Sequence, residues 1–302
     1  MPEFRHISWI RKRLDADPRV AIGPGDDTAL VESSPPGMLA TVDMMLEGVH
    51  FSLDEATPQE VGFKAMNVNL SDIAAMAGSP LYALLAVGLP PGSTNELAEG
   101  LFNGLKEAAD RFNVAIIGGD TNSSHSGVVL SVTVLGAPHP KGVVKRSGAR
   151  PGDAIMVTGK LGYSRLGKHL LFTPRIVEAK RLHEGFRLTA MMDLSDGLGG
   201  DIFHLTGESG VGAVIDADAV PIADGPADDR SPLMHALSDG EDFELLFTTP
   251  AEDAARLLKE NPLADLGVRL SRIGVIAEET GVRLRRGSED SKLERSGYVH
   301  AW

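Results

Sequence analysis

The stretch Met191-Met192-Asp193-Leu194-Ser195-Asp196-Gly197-Leu198-Gly199-Gly200-Asp201 constrains this chain more than any other. An apolar run from Thr189 to Met192 reads as the end of a buried strand and delivers Asp193, with Asp196 three residues on and Ser195 between them. Past Asp196 a glycine-loosened turn opens a helix whose apolar side is Ile202, Phe203 and Leu205. Such a strand, turn and helix suits the C-terminal edge of an α/β sheet, where open sheets bind ligands. An apolar run ending on Asp recurs at Leu39 to Asp43 and at Val114 to Asp120. Three strand ends offering carboxylates to one crevice make a site for divalent metal and phosphate, and a poor one for a bare organic anion.

The length of 302 residues favours two domains. A net charge of −13 with no basic stripe argues against a nucleic-acid partner, and it means that a phosphorylated substrate is repelled unless cations intervene. The absence of cysteine removes disulfides, thiolate catalysis, zinc–thiolate sites and iron–sulfur clusters together, consistent with the cytoplasm. Residues 1 to 14 are a short amphipathic pattern without the continuous apolar core of a signal peptide. The longest apolar run, Ile73 to Leu89, is broken by Gly78, Ser79, Pro80 and Gly88, so a soluble protein without a membrane partner is expected.

Along the chain, Phe4, Ile7, Trp9, Ile10 and Leu14 predict a first helix. Gly23-Pro24-Gly25-Asp26-Asp27 reads as a loop exposing carboxylates, and Met38 to Asp43 as a strand. Thr57-Pro58-Gln59-Glu60 is a capping box with proline at the first helical position, so a helix is predicted from there to about Ala77. Lys64, Asn67, Asn69, Ser71 and Asp72 put polarity on that helix where a core is expected. Leu81 to Leu89 reads as a strand, Ser93 with Glu96 as a second capping box opening a helix to Phe112, and Val114 to Ile117 as a strand ending in Gly118-Gly119-Asp120. Val128 to Leu135 is the next strand. The Pro-, Gly- and Lys/Arg-rich segment after it reads as a linker, which divides the chain into residues 1–138, a linker over 139–152, and residues 153–302. Strands are then predicted at Ala154 to Thr158, into Asp193, and at Gly212 to Asp216, Phe243 to Thr248, Val268 to Val275 and Gly281 to Arg285. Helices are predicted near Leu161 to Leu170, from Thr173-Pro174, after Asp196 and from Thr249-Pro250.

Asp26, Asp27, Asp43, Asp72, Asp120, Asp193, Asp196, Glu241 and Asp242 each lie in a Gly-rich turn or beside an apolar segment. Singly, such a residue reads more readily as a cap or turn than as a ligand. Collectively they need cations to offset their repulsion. Asp72 stands out, because a carboxylate on an otherwise apolar helix is costly unless it is paired or bound to metal. Lys145-Arg146-Ser147-Gly148 offers a cation for a polyphosphate tail, or equally a solvated linker charge. His50 reads as a substrate contact or as a satisfied loop histidine. No Walker A loop, H-E-x-x-H or G-x-S-x-G elbow is present, so a Ser–His–Asp hydrolase is not supported and Ser195 is better placed to bind phosphate than to attack.

Taken together, Gly25-Asp26-Asp27, Val42-Asp43 through Glu47-Gly48-Val49-His50-Phe51, Asn69-Leu70-Ser71-Asp72-Ile73-Ala74-Ala75-Met76, Gly118-Gly119-Asp120-Thr121, Arg146 to Asp153, Asp193-Leu194-Ser195-Asp196-Gly197 and Gly240-Glu241-Asp242-Phe243-Glu244-Leu245 resemble the thiamine-monophosphate kinase family. The motifs occur in the family's order from about residue 23 to 248, and Gly297-Tyr298-Val299-His300 is similar too. As a set they are highly specific.

The resemblance implies an α/β (α+β) chain of the two-domain aminoimidazole ribonucleotide synthetase-like fold, whose N-terminal sheet pairs with that of a second subunit in a dimer barrel and whose C-terminal domain is α/β. It implies phosphorylation of thiamine monophosphate to thiamine diphosphate, with ATP as co-substrate and several Mg²⁺ ions. Matched position by position, Asp27, Thr41, Asp43, Asp72, Asp120, Asp193 and Asp196 would bind metal; Gly119, Asp120, Arg146 and Ser195 would hold ATP; His50 and Glu241 would contact thiamine phosphate. Tyr298 and Trp302 are the candidates for stacking on thiamine. No residue is needed as acid or base, and Asp72, Asp120 and Asp196 carry the most weight. Val42 stands where the family often has a hydroxyl, and the segment from Gly162 to Pro174 is shorter than its usual connection. The rival readings are another ATP-using enzyme of the same superfamily and a nucleotide-binding regulator that does not turn over.

Overall fold

The computed structural model describes residues 20–22, 26–27, 29–31 and 37–298. The predicted first helix, Gly23-Pro24-Gly25, the tail from Val299 and Trp302 lie outside the described residues.

The N-terminal half is one six-stranded sheet in the order β1-β2-β3-β6-β4-β5 with two long helices on one face. Its strands are β1 (Val20–Ile22), β2 (Ala29–Val31), β3 (Met38–Leu46), β4 (Ser79–Leu89), β5 (Ala115–Ser123) and β6 (Val129–Ala137). Only β4 and β5 run parallel. On β3, Leu39, Thr41 and Met45 are buried while Val42 and Met44 are exposed, the alternation of a sheet covered on one side. Val42, Met44, Leu84 and Ile117 leave the other side apolar and uncovered, with Val42 60% exposed and Ile117 54%.

The covering helices are α1 (Pro58–Ala75) and α2 (Asn95–Arg111). The capping box at the start of α1 forms as predicted: the Glu60 amide donates to the Thr57 hydroxyl at 3.2 Å and the Thr57 amide to the Glu60 carboxylate at 2.8 Å. The cap of α2 is Thr94, not Ser93; the Leu97 amide donates to Thr94, and Ser93 instead donates to the Pro90 carbonyl. The two helices touch through paired glycines. A Cβ on Gly62 would lie 1.9 Å from the Leu101 carbonyl oxygen, and one on Gly104 would lie 1.9 Å from that of Gln59.

The C-terminal half is a seven-stranded sheet in the order β13-β12-β9-β11-β7-β10-β8. It comprises β7 (Ala154–Thr158), β8 (Ala190–Asp193), β9 (Gly212–Asp216), β10 (Leu245–Thr249), β11 (Leu270–Ala277), β12 (Gly281–Arg286) and β13 (Glu289–Lys292), of which only β9 and β12 pair in parallel. Its central strands are buried on both faces, which is why they read as unbroken apolar runs. Met156, Met191 and Phe247 join the core that α1 fills with Leu70 and Ile73. Ile155, Val157, Met192 and Leu246 face a second core under α5 (Leu198–Ser209) and α6 (Pro232–Ser238). Helix α1 is thus the layer between the two sheets.

Several predicted elements shift. The helix expected near Leu161 to Leu170 is a 3₁₀ turn, Ser164–Leu166, followed by the single-turn α3 (Lys168–Leu171). The helix expected from Thr173-Pro174 is α4 (Ile176–Gly185), and α7 (Ala251–Glu260) begins at the expected Thr249-Pro250. The strand expected from Phe243 starts at Leu245, while α6 and β13 had no sequence prediction. The consequential shift is β5, which runs through Gly118-Gly119-Asp120 to Ser123 and does not stop before them. Of the three expected strand ends bearing Asp, only Asp193 closes its strand; Asp43 sits inside β3 and Asp120 inside β5.

Candidate active site

The two halves meet around a cavity of about 710 Å³ whose walls are α1, β3, the turn after β8 and the loop before β10. Each wall contributes charge for a local reason. On α1, the three- and four-residue spacing puts Lys64, Ser71 and Asp72 on the side that meets the C-terminal half. On β3, Thr41 and Asp43 share the covered face, with Thr41 donating to the Asp72 carboxylate at 2.5 Å and the Asp43 amide donating to Asn69 Oδ1 at 3.0 Å. The end of β8 points Asp193 inward, where it accepts from the Ser71 hydroxyl at 2.5 Å. Gly197, at φ 100°, turns the chain there into α5; the Asp201 carboxylate folds back to accept the Asp196 amide at 3.1 Å.

Carboxylate oxygens of Asp27, Asp72 and Asp193 all lie within 4.8 Å of one another. Among the described residues, Arg146 answers them directly: it donates Nε and Nη2 to the two oxygens of Asp27 at 3.0 and 2.6 Å, a fork-on-carboxylate pair, and its amide donates to Asp26. Crowding shows in the proton affinities. Burial, and then the charge of Asp27, push Asp193 up to about 8. Burial, and then Asp43, Asp193 and Asp27, hold Asp72 well above the usual carboxylate range. Asp43 is raised by burial, and Asp201 by burial and then Asp196. Burial works against the charged form of Arg146, but the neighbouring Asp27 outweighs it and the guanidinium is held charged. An all-oxygen set of this kind, with more negative charge than Arg146 offsets, fits a hard divalent cation such as Mg²⁺.

His50, Lys64 and Glu241 also line the cavity. The Leu46 amide donates to His50 Nδ1 at 3.0 Å, which fixes that nitrogen as an acceptor. Glu241 (φ 55°) and Phe243 (φ 49°) occupy backbone conformations unusual for residues with side chains. Their loop is pinned to the turn after β8, because the Glu241 amide donates to the Ser195 carbonyl at 2.7 Å and the Phe243 amide to that of Leu194 at 2.8 Å. The tail reaches the same cavity: the Tyr298 amide donates to the Asp196 carbonyl at 3.1 Å, and Arg295 donates to His204. Burial, and then Arg295, push His204 down to about 3.

The cavity therefore gathers Asp27, Thr41, Asp43, Asp72, Asp193 and Asp196, together with Arg146, Ser195, His50, Glu241 and Tyr298. It does not gather Gly119 or Asp120 from the same chain. Asp120 pairs with Ala86, Ala86 with Ser131 and Ser131 with Met44 in one cross-strand row; Met44 is 56% exposed, so Asp120 projects from the open face of the sheet. Asp43 lies in the neighbouring row on the covered face, three strands and roughly 14 Å away. Arg165 also lines the cavity, from an exposed 3₁₀ turn, and nothing local in the sequence marks it. Lys64 and Ser71 likewise had no role among the expected site residues, although polarity on an apolar helix was the mark that could have found them.

Comparison with known proteins bears on this geometry. The family described as AIR synthase related protein, N-terminal domain, matches residues 25–137, and its C-terminal domain counterpart matches residues 150–287. A thiamine-monophosphate kinase of Rhodopirellula baltica is 37% identical over 99% of this chain and 97% of its own length. The chain belongs to the thiamine-monophosphate kinase family. The structure of AaThiL complexed with AMPPCP and TMP superposes on this member of the kinase family with a TM-score of 0.85 at 31% identity, covering 99% of this chain and 97% of that one. The thiamine-monophosphate kinase from Stenotrophomonas maltophilia K279a gives 0.75 at 33% identity, over 93% and 96% of the respective chains. The fold is thus the two-domain one that the sequence motifs implied.

Proposed function

We propose that this member of the thiamine-monophosphate kinase family transfers the γ-phosphoryl group of ATP in line to the phosphate of thiamine monophosphate, giving thiamine diphosphate. The observation that carries the reading is the convergence of Asp27, Asp72 and Asp193, carboxylates from both halves of the chain, in a cavity of about 710 Å³ beside Arg146, in a chain similar to a protein whose structure holds AMPPCP and TMP.

Both substrates are anions, so charge repulsion is the chief barrier. Bound by Asp27, Thr41, Asp43, Asp72, Asp193 and Asp196, several Mg²⁺ ions would supply the positive charge that lets two phosphate groups approach. Arg146 and Ser195 would hold the polyphosphate of ATP, His50 and Glu241 the thiamine monophosphate, and Tyr298 would lie against its rings. No side chain has to remove a proton, because a phosphate monoester oxygen is ionised at neutral pH, so the residues serve to position and to offset charge.

A homodimer belongs to the same reading. The uncovered apolar face around Val42, Met44 and Ile117 is the surface that would pair, and Asp120 projects from that face. Gly119 and Asp120 would then serve ATP and metal at a site of the assembled dimer. No helix among the described residues is long and apolar enough to cross a membrane, and we place the enzyme in the cytoplasm. Incubation with ATP, Mg²⁺ and thiamine monophosphate, followed by chromatography for thiamine diphosphate, tests the reading; absence of that product rejects it.

A further inference from the structure

Helix α1 carries a buried polar stripe at 64, 67 and 71, one helical face, and every member of it bonds to the C-terminal half. Lys64 donates to the Glu241 carboxylate, Asn67 Nδ2 to the Phe172 carbonyl at 3.0 Å, and Ser71 to Asp193 at 2.5 Å. Lys64 is 1% exposed and spends a second donor on the His50 carbonyl at 2.8 Å. Its ammonium thus joins two walls of the cavity, one from each half of the molecule.

A fully buried lysine is an expensive way to hold a helix to a sheet, since an apolar side chain of the same length would pack there without desolvating a charge. What the lysine adds is geometry. Glu241 and Phe243 both sit at positive φ, and strained backbone of that kind persists only where the surroundings over-determine it. The restraints on this loop include two amide bonds to the turn after β8, the Ser164 hydroxyl on the Gly240 carbonyl, the Gly162 amide on the Asp242 carboxylate at 2.9 Å, the Phe243 ring stacked on Phe172 with centroids 4.0 Å apart, and the Lys64 ammonium on the Glu241 carboxylate. Lys64 is the restraint that acts on the side chain that we assign to substrate.

We propose that Lys64 is a positioning residue for thiamine monophosphate: it fixes the Glu241 carboxylate and the His50 loop at one spacing across the boundary between the halves, and its own bonds go to none of the side chains that we assign to ATP. This rests on the assignment of Glu241 to thiamine monophosphate made above.

The test is a cycle of Lys64→Met, Glu241→Gln and the double variant. Equilibrium binding of thiamine monophosphate and KM for each substrate are measured, with hydrogen exchange of the ligand-free proteins alongside. Lys64→Met is expected to weaken thiamine monophosphate binding by about tenfold or more while KM for ATP stays within about twofold. In the Glu241→Gln background the same change should cost less than about twofold, because Lys64 acts through Glu241. The amides of Glu241 and Phe243 should exchange faster in Lys64→Met than in the wild type. Should that variant not fold, Lys64→Gln takes its place. Equal losses in both backgrounds, a parallel rise in both KM values, or unchanged exchange at Glu241 and Phe243 overturns the proposal. If wild-type protein binds no thiamine monophosphate, the functional reading fails, and the exchange measurement alone still decides whether Lys64 holds the loop.

Discussion

Ser71 donates its hydroxyl to Asp193 at 2.5 Å, so a residue of the N-terminal helix α1 satisfies the carboxylate that ends β8 in the C-terminal half. Asp193 is 3% exposed and its charge has little water to fall back on. Ser71→Ala should therefore destabilise the Mg²⁺-loaded protein by about 1.5–3 kcal/mol, the range for a hydrogen bond to a charged group. Urea unfolding in Mg²⁺ measures this; an effect below about 0.5 kcal/mol would mean that Asp193 has another donor.

The crowded carboxylates give the metal-free protein a defined pH dependence. In the folded chain Asp193 holds its proton up to about 8, whereas in the unfolded chain it releases it in the ordinary carboxylate range. Between those limits the folded state binds more protons than the unfolded state, so stability falls as pH rises. Asp72, Asp43 and Asp201 shift in the same direction. Without metal, the protein should melt at a higher temperature at pH 5.5 than at pH 8.5. Mg²⁺ should narrow that gap, contributing about 2.7 kcal/mol at one hundred times its dissociation constant at the higher pH and much less at the lower. Calorimetry with and without Mg²⁺ decides it, and a flat profile would remove the crowding from the account.

Asp120 offers a test of assembly. If it serves a second copy, Asp72→Asn and Asp120→Asn should each be inactive alone. Co-refolded in equal amounts they should regain about a quarter of wild-type activity, because half of the dimers are mixed and each has one intact site. No recovery, with mixed dimers demonstrated, would place Asp120 outside the partner's site.

The fold itself is tested where α1 meets α2. Gly104→Ala puts a methyl group 1.9 Å from the Gln59 carbonyl oxygen, far inside contact distance. The helices must part, at a cost of about 1–3 kcal/mol by thermal or urea unfolding. A neutral result would show that the two helices are not held at the observed spacing.

These relationships were unevenly legible in the sequence. The start of α1 was readable because Thr57, Pro58 and Glu60 are adjacent and act locally. The strand into Asp193 was readable because both of its faces are buried. Where neighbours in space decide, local reading failed. Gly118 and Gly119 look like a turn, yet pairing with Leu84 and Leu85 of β4 keeps them extended at the sheet edge, and this carries Asp120 away from the other carboxylates. Ser93 and Thr94 offer the same hydroxyl one residue apart; Thr94 caps the helix while Ser93 turns back to the Pro90 carbonyl. Lys64 and Ser71 announced themselves as polar residues on an apolar helix, but their partners Glu241 and Asp193 lie far along the chain, where no periodicity reaches.

If Asp27, Asp72 and Asp193 come together to hold the cations that reconcile two phosphates, removing one of these charges must stop transfer without loosening the fold. Asp72→Asn tests it most directly, with thiamine diphosphate formation and metal-free melting temperature measured on the same preparation. Turnover should fall at least about a hundredfold, as expected when a transition-state charge contact is lost, with a melting temperature equal to or above that of the wild type, because a repelling charge has been removed. Near-normal turnover in that variant would contradict it.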